Sequence, residues 1–257
     1  MSKTVLITRP EGLYGGATQL ASKIEELGFR SLVLPVLRCE PIELSAHEES
    51  LVRDFIAGGD GWVTFLSPTA VYIFRQVCEE RSLRVDIPRS IKCAVQGTGT
   101  ADALERCFGR RADFMPSVYV AEDFGCEFAR ELRKQSRVLV PQSAHGRDVL
   151  APFLRSKGHE VHSLNLYHTR EVPLSPETLV LIERQDPTES VIVFMSPSAV
   201  RATVKALAQQ RSLLERIPVV SVGPITSQAV KAAGLRIAAE ASSHSEEGVI
   251  EALLGFR

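Results

Sequence analysis

The chain has 257 residues, 44% of them hydrophobic and 24% charged, the balance of an ordinary globular protein large enough for one big domain or two small ones. That composition excludes the disordered and collagen-like classes. With 30 basic residues, 31 acidic residues and a net charge of −1, no global field recruits nucleic acid or an anionic membrane surface, so an anionic ligand has to be held by local groups.

Read from the start, "MSKTVLITRP" moves straight into a strand pattern without a long apolar signal core. "GGATQLASKIEELG" then has helical period, "RSLVLPVLRCEP" is β-rich, and "GWVTFLSP" is a strand followed by the helical "AVYIFRQVCEERS". This alternation is the βαβα signature of an α/β fold, with parallel sheets covered by helices. No apolar run approaches the roughly 20 residues of a membrane span. The five cysteines, Cys39, Cys78, Cys93, Cys107 and Cys126, are odd in number and contain no C-x-x-C pair. Reduced thiols filling a core are expected from them, and a soluble cytoplasmic protein from the whole.

The second half of the chain repeats the first. "VTFLSPTAV" at Val63 to Val71 returns as "VIVFMSPSAV" at Val191 to Val200, aligning Ser67 with Ser196, and Ile87-Pro88 returns as Ile217-Pro218. "VQGTGTADAL" lines up with "SVGPITSQAV", pairing Gly97, Thr100 and Ala103 with Gly223, Thr226 and Ala229. "VLITRP" and "VLVPQS" correspond more loosely. Two similar α/β units are expected, and periodicity leaves open whether they use consecutive or exchanged pieces of chain. "LRCEP" (Leu37 to Pro41) and "TREVP" (Thr169 to Pro173) have matching places in the two halves. Each is extended and ends in Pro, which disfavours helix just before it, so both read as linkers.

Ser-Pro after a strand has a mechanical meaning: Ser caps the helix and Pro at its first position wastes no donor. Ser67-Pro68 and Ser196-Pro197 therefore start helices, as do Thr98-Gly99-Thr100 and Pro224-Ile225-Thr226 after their strands. Any one such turn is read most simply as capping. Four related turns, two per repeat, point to anion-binding helix N-termini in the crevice beyond the strand carboxyl ends. Ser67, Thr100, Ser196 and Thr226 are the binding candidates. Arg9 in "TRP" and Arg147 in "SAHGRDVL" lie at or after strand ends, where guanidinium forks could clamp carboxylates; surface ion pairing is the bland alternative. Tyr167, on the strand leading into the second linker, is by type more often structural, yet its hydroxyl could act as an acid or hydrogen-bond donor.

Other signals are weaker. "GLYGG" lacks a P-loop pattern, and "GTG" lacks the third Gly and the ribose acid of a dinucleotide site. His159 and His162 point to opposite faces of a strand, so they read as surface histidines and not as a shared metal site. Ser67 and Ser196 lack the G-x-S-x-G elbow of serine hydrolases.

"VLITRP", the doubled F-x-S-P-x-A-V, "YHT" before the linker, "VGPITSQAVKAAG" and "HSEEGVIEAL" together resemble the uroporphyrinogen-III synthase family along the whole chain. The ordered set carries the resemblance. Ser245 stands where Thr is usual in the family, and Gly99 adds flexibility beside Thr100. The resemblance implies two α/β domains joined by a two-stranded linker. Residues 1–37 with 173–257 would form one, residues 41–169 the other, and residues 38–40 and 170–172 the linkers. It implies a cyclising lyase that converts hydroxymethylbilane, a linear tetrapyrrole, to uroporphyrinogen III with loss of water and inversion of ring D, without cofactor or metal. Loss of the hydroxymethyl oxygen gives an azafulvene cation, and ring D attacks it through a spiro intermediate. By similarity Tyr167 assists that departure, while the capped turns receive acetate and propionate groups. A monomer is expected, with hydroxymethylbilane synthase as a transient partner and neither nucleic acid nor membrane.

Two other classes compete. A non-enzymatic tetrapyrrole- or anion-binding module would keep the turns and show no turnover. A sugar- or nucleotide-binding hinge protein would need a recognition signature that the chain does not carry.

Overall fold

The computed structural model describes residues 2–10, 16–83, 86–116, 121–146 and 148–256. In chain order the elements are β1 (Thr4–Thr8), α1 (Gly16–Glu26), β2 (Arg30–Val33), β3 (Leu37–Pro41), α2 (Ala46–Ala57), β4 (Gly61–Phe65), α3 (Pro68–Glu80), β5 (Ile91–Val95), α4 (Thr98–Phe108) and α5 (Ala121–Glu131). They continue as β6 (Arg137–Ser143), α6 (Leu150–Ser156), β7 (Glu160–Glu171), α7 (Pro176–Glu183), β8 (Ser190–Phe194), α8 (Pro197–Ala206), α9 (Arg211–Leu214), β9 (Val219–Ser221), α10 (Pro224–Ala232), β10 (Ile237–Glu240) and α11 (Glu246–Leu254).

The chain divides into two compact units, one made of residues 1–38 and 170–257, the other of residues 39–169. The first unit holds the sheet β10-β9-β8-β1-β2, and the second sheet runs β3-β7-β6-β4-β5. In the first sheet all the neighbouring strands pair in parallel. In the second, β7-β6-β4-β5 do so. Both "LRCEP" and the opening of "TREVP" are strand: the first is β3, and the second ends β7 before Val172 and Pro173.

The sequence repeat explains the two sheets. Its corresponding strands are β8 with β4, β9 with β5, β1 with β6 and β2 with β7. The order β9-β8-β1-β2 therefore matches β5-β4-β6-β7. The match extends outward: β10 lies beside β9, and an isolated bridge from Ala94 to Phe114 lies beside β5.

Central parallel strands covered on both faces need continuous apolar runs, and β1, β4 and β8 are buried at every position. Alternation divides their side chains between two cores. Leu6, Ile192 and Phe194 pack with Leu34, Val200 and Val230 in one. Val5, Ile7, Val191 and Val193 pack with Leu20, Ile24, Val249 and Leu253 in the other. Truncating a fully buried ring such as Phe194 to Ala removes about 3–5 kcal/mol. In the second unit Trp62 meets Phe128 edge-on at 5.0 Å, and Phe114 lies 5.7 Å from Phe124 and 5.3 Å from Phe128.

Two expectations need correction. Cys78 and Cys93 are buried, but Cys39 and Cys107 are half-buried and Cys126 is exposed on α5, so a core role does not cover all five. His159 and His162 are half-buried rather than fully exposed: the His159 N–H donates to the Leu154 carbonyl of α6 at 3.2 Å, and His162 Nε2 lies 2.7 Å from Glu160 Oε1. No described helix is long and apolar enough to cross a membrane.

Candidate active site

In the second unit, two strand-to-helix turns lie side by side. Ser67 leaves β4 in extended conformation (φ −159°, ψ 154°), its Oγ accepts the Ala70 N–H at 3.2 Å, and Pro68 opens α3 without wasting a donor. The neighbouring β5 ends in register, Phe65 opposite Val95, and the Gln96 N–H donates to the Phe65 carbonyl at 3.1 Å. Gly97 then caps α4 with backbone alone. A Cβ on Gly99 would lie 3.8 Å from Pro68 Cγ, so the first turns of α3 and α4 are neighbours. Thr100 is 4% exposed, and its own N–H is bonded to the Gly97 carbonyl at 3.0 Å.

Tyr167 reaches this place through an irregularity. β7 pairs with β6 residue for residue from Glu160 to Asn165, and then Ser143 faces Tyr167 rather than Leu166. The extra residue breaks the alternation, so the adjacent Leu166 and Tyr167 are both buried. Tyr167 Oη lies 3.4 Å from Ser67 Oγ. Burial pushes the Tyr167 phenol up to about 12, with the Ser67 hydrogen bond pulling down and the Cys39 thiol adding a smaller push upward. The group at the mouth of the Ser67 turn is thus a neutral phenol that can give a hydrogen bond or a proton. Around it, Cys39 Sγ on β3 lies 4.0 Å from Thr169 Oγ1, and burial raises this thiol too. The Ala144 N–H donates to the Tyr167 carbonyl at 2.9 Å, and the His145 and His168 rings stack at 5.0 Å, tying the turn after β6 to the tyrosine's backbone.

The first unit carries the companion set. Ser196 leaves β8 with φ −163° and ψ 156°, accepts the Ala199 N–H at 3.2 Å, and lies 2.9 Å from Ser198 Oγ. The Val222 N–H donates to the Phe194 carbonyl at 3.0 Å, setting the α10 turn beside it. Gly223 caps α10 in extended backbone that any residue adopts. What favours Gly there is His244, whose ring Cδ2 would be 2.6 Å from a Cβ. Thr226 is 3% exposed. Arg9 follows β1, whose last residue Thr8 is opposite Phe194, and its guanidinium is ion-paired with Glu246 in the first turn of α11. Lys23 holds the next carboxylate, Glu247, at 3.1 Å.

The fold therefore gathers Ser67, Tyr167 and the Thr100 turn in one unit, and Ser196, the Thr226 turn and Arg9 in the other. Arg147 and residues 12–15 of the Gly-rich stretch lie outside the described residues. Cys39, Ser198, His244 and Glu246 carry no individual site signal in the sequence; the last two belong to "HSEEGVIEAL", a signature that assigns no roles to its members. Among the described residues no three His, Cys, Asp or Glu side chains cluster in a way that could hold a metal ion.

Duplicated parallel-sheet units, each carrying paired capped helix starts at its strand carboxyl ends, define a two-unit α/β protein class. Within it, the family model for uroporphyrinogen-III synthase HemD matches residues 18–251, and the chain belongs to that family, a family of enzymes of tetrapyrrole synthesis. It is 25% identical over 247 residues to a porphyrin biosynthesis protein HemD of Ruminiclostridium josui, covering 93% of this chain; the chain spans only 46% of that relative's length. It is 24% identical over 255 residues to the chloroplastic uroporphyrinogen-III synthase of Oryza sativa subsp. japonica, covering 97% of this chain and 79% of that one. The crystal structure of uroporphyrinogen-III synthetase from Helicobacter pylori has the same fold, with a TM-score of 0.62, 16% identity and 100% of each chain covered.

Proposed function

We propose that the protein is a cofactor-independent lyase that closes hydroxymethylbilane to uroporphyrinogen III, with loss of water and inversion of ring D. Family membership supports the reaction class, and the observation that carries the chemistry is the buried, neutral Tyr167 phenol beside the capped Ser67 turn. Direct closure of the tetrapyrrole ends gives the non-inverted isomer, so the catalyst's main task is to hold a folded substrate with ring D reversed. Tyr167 gives its proton to the departing hydroxyl. The turns that carry Ser67, Thr100, Ser196 and Thr226 receive acetate and propionate groups on helix N-termini. Thr100 and Thr226 are buried, so their part is to shape the turn whose backbone meets the carboxylate. Arg9 would exchange its Glu246 partner for a substrate carboxylate, and Arg147, which follows the corresponding strand of the other repeat in sequence, would clamp another.

Residues 38–40 and 170–172, where the chain passes between units, are the linkers in this reading. The five free thiols fit a reducing cytoplasm, and a monomer receiving its substrate from hydroxymethylbilane synthase completes the proposal. A coupled assay that supplies hydroxymethylbilane tests it. Isomer III is the expected product, and exclusive formation of isomer I overturns the reading.

A further inference from the structure

The Ser67 hydroxyl has more to do than cap a helix. A serine oxygen has two lone pairs and one proton. One lone pair accepts the Ala70 N–H, which fixes the oxygen at the head of α3 and leaves the proton to be placed elsewhere. The Tyr167 oxygen lies 3.4 Å away, loose for a hydrogen bond but open to tightening when a substrate closes the site. The tyrosine's backbone is fixed independently by the β7 bulge and by the Ala144 N–H on its carbonyl. Both oxygens are thus anchored by groups outside the pair. The companion turn differs at this point, since Ser196 faces the short side chain of Ser198 at 2.9 Å.

We propose that Ser67 is a positioning residue for Tyr167: its hydroxyl donates to the Tyr167 oxygen, turning the phenol's own proton outward and stabilising the negative charge that forms as that proton leaves. This rests on the synthase reading. In the step concerned, the C–O bond of the hydroxymethyl group breaks and its electron pair stays on oxygen. The pyrrole nitrogen's lone pair is drawn toward the exposed carbon, giving the azafulvene cation. The departing oxygen takes the Tyr167 proton and leaves as water. Tyr167 holds the negative charge, shared with the Ser67 O–H, until ring closure releases a proton from ring D that restores the phenol. A buried phenol resists ionisation, so a donor aimed at its oxygen acts where it is most needed.

The test is a kinetic cycle built from Ser67→Ala, Tyr167→Phe and the double variant, assayed with hydroxymethylbilane by isomer-resolved product analysis. Wild type giving isomer III comes first; isomer I alone sinks the synthase reading and this proposal with it. With isomer III formed, Ser67→Ala is expected to lower kcat about tenfold, beyond the modest rise in KM that the lost cap brings at either serine, and Ser67→Thr to restore most of the kcat. In the Tyr167→Phe background the same serine change should lower kcat no further, because the group through which it acts is gone. If loss of the cap unfolds Ser67→Ala, Ser67→Gly keeps an acceptable cap residue without the hydroxyl and takes its place. A rise in KM with kcat unchanged, or serine and tyrosine effects that multiply in the double variant, overturns the proposal while leaving the synthase reading intact.

Discussion

The Ser67 and Ser196 turns share a backbone and differ in company. Their φ and ψ agree within a few degrees (−159° and 154° against −163° and 156°), and each oxygen accepts the N–H three residues on at 3.2 Å. One hydroxyl then meets a buried tyrosine from a strand a hundred residues away, and the other meets a serine on its own helix. Duplication has kept the part of the turn that starts a helix and let the third neighbour diverge. A helix cap is satisfied by one lone pair, so the rest of the hydroxyl is free to take different work in each copy.

The sharpest way to break this contrast is Tyr167→Phe, which removes one hydroxyl and keeps the ring. Turnover is expected to fall by about ten- to a thousandfold at saturating substrate, with product affinity little changed. Unaltered kcat would reduce Tyr167 to a packing residue and erase the difference between the turns. Ser196→Ala should act on a different parameter: the backbone N–H groups stay, so a binding loss of about 0.5–2 kcal/mol is expected, read as a higher KM at nearly constant kcat. A large kcat loss from Ser196→Ala would mean that both turns do chemistry.

Alkaline stability gives a third comparison. The folded state holds the Tyr167 phenol at about 12 against an ordinary 10.0, so the unfolded chain loses this proton first as pH rises. The stability tied to the buried phenol is fully present below pH 10.0 and is lost as pH rises from there toward 12. Denaturant titrations across that window should show a shallower decline for Tyr167→Phe than for wild type, and no change of slope for Ser196→Ala. Matching slopes for wild type and Tyr167→Phe contradict the burial argument. The smallest effect belongs to the adjoining turns, where Gly99 in one repeat aligns with the exposed Ile225 of the other. A Cβ at Gly99 meets nothing nearer than 3.8 Å, so Gly99→Ala should raise stability by about 0.4–1 kcal/mol in thermal or denaturant unfolding. A loss of stability there would show that this turn needs its freedom.

Much of this was written locally. The Ser-Pro dipeptides state a cap and a first helical residue, and the apolar runs in β1, β4 and β8 state strands covered on both sides; each signal is contained within a few residues. The loose likeness of "VLITRP" and "VLVPQS" was enough to identify β1 and β6, which take equivalent places in the two sheets. What escaped was relational. Strand alternation alone puts Leu166 and Tyr167 on opposite faces, and only the pairing of β7 with β6 reveals the bulge that buries both. Arg9 was legible as a guanidinium at a strand end, but its carboxylate partner Glu246 is supplied by the far end of the chain. A cysteine's type says nothing about which side of its helix it occupies, so Cys126 reads as a core thiol in the sequence and lies exposed on α5.

The pairing of β1 with β8 sets a clock on the protein's birth. Thr4 takes its place opposite Ser190, and Thr8 opposite Phe194, so the middle of the first sheet cannot be assembled until the ribosome has gone on from Thr8 to Phe194. At about 5–20 residues per second, "TVLIT" waits roughly ten to forty seconds after synthesis for its neighbour, while residues 39–169 emerge as an unbroken stretch able to fold in the meantime. For that interval a strand that is buried at every position in the finished sheet stands with one side unpaired. Slowing elongation therefore lengthens its exposure without changing a single residue, and the yield of folded protein in a cell should depend on translation speed and on the supply of chaperones that shield nascent strands.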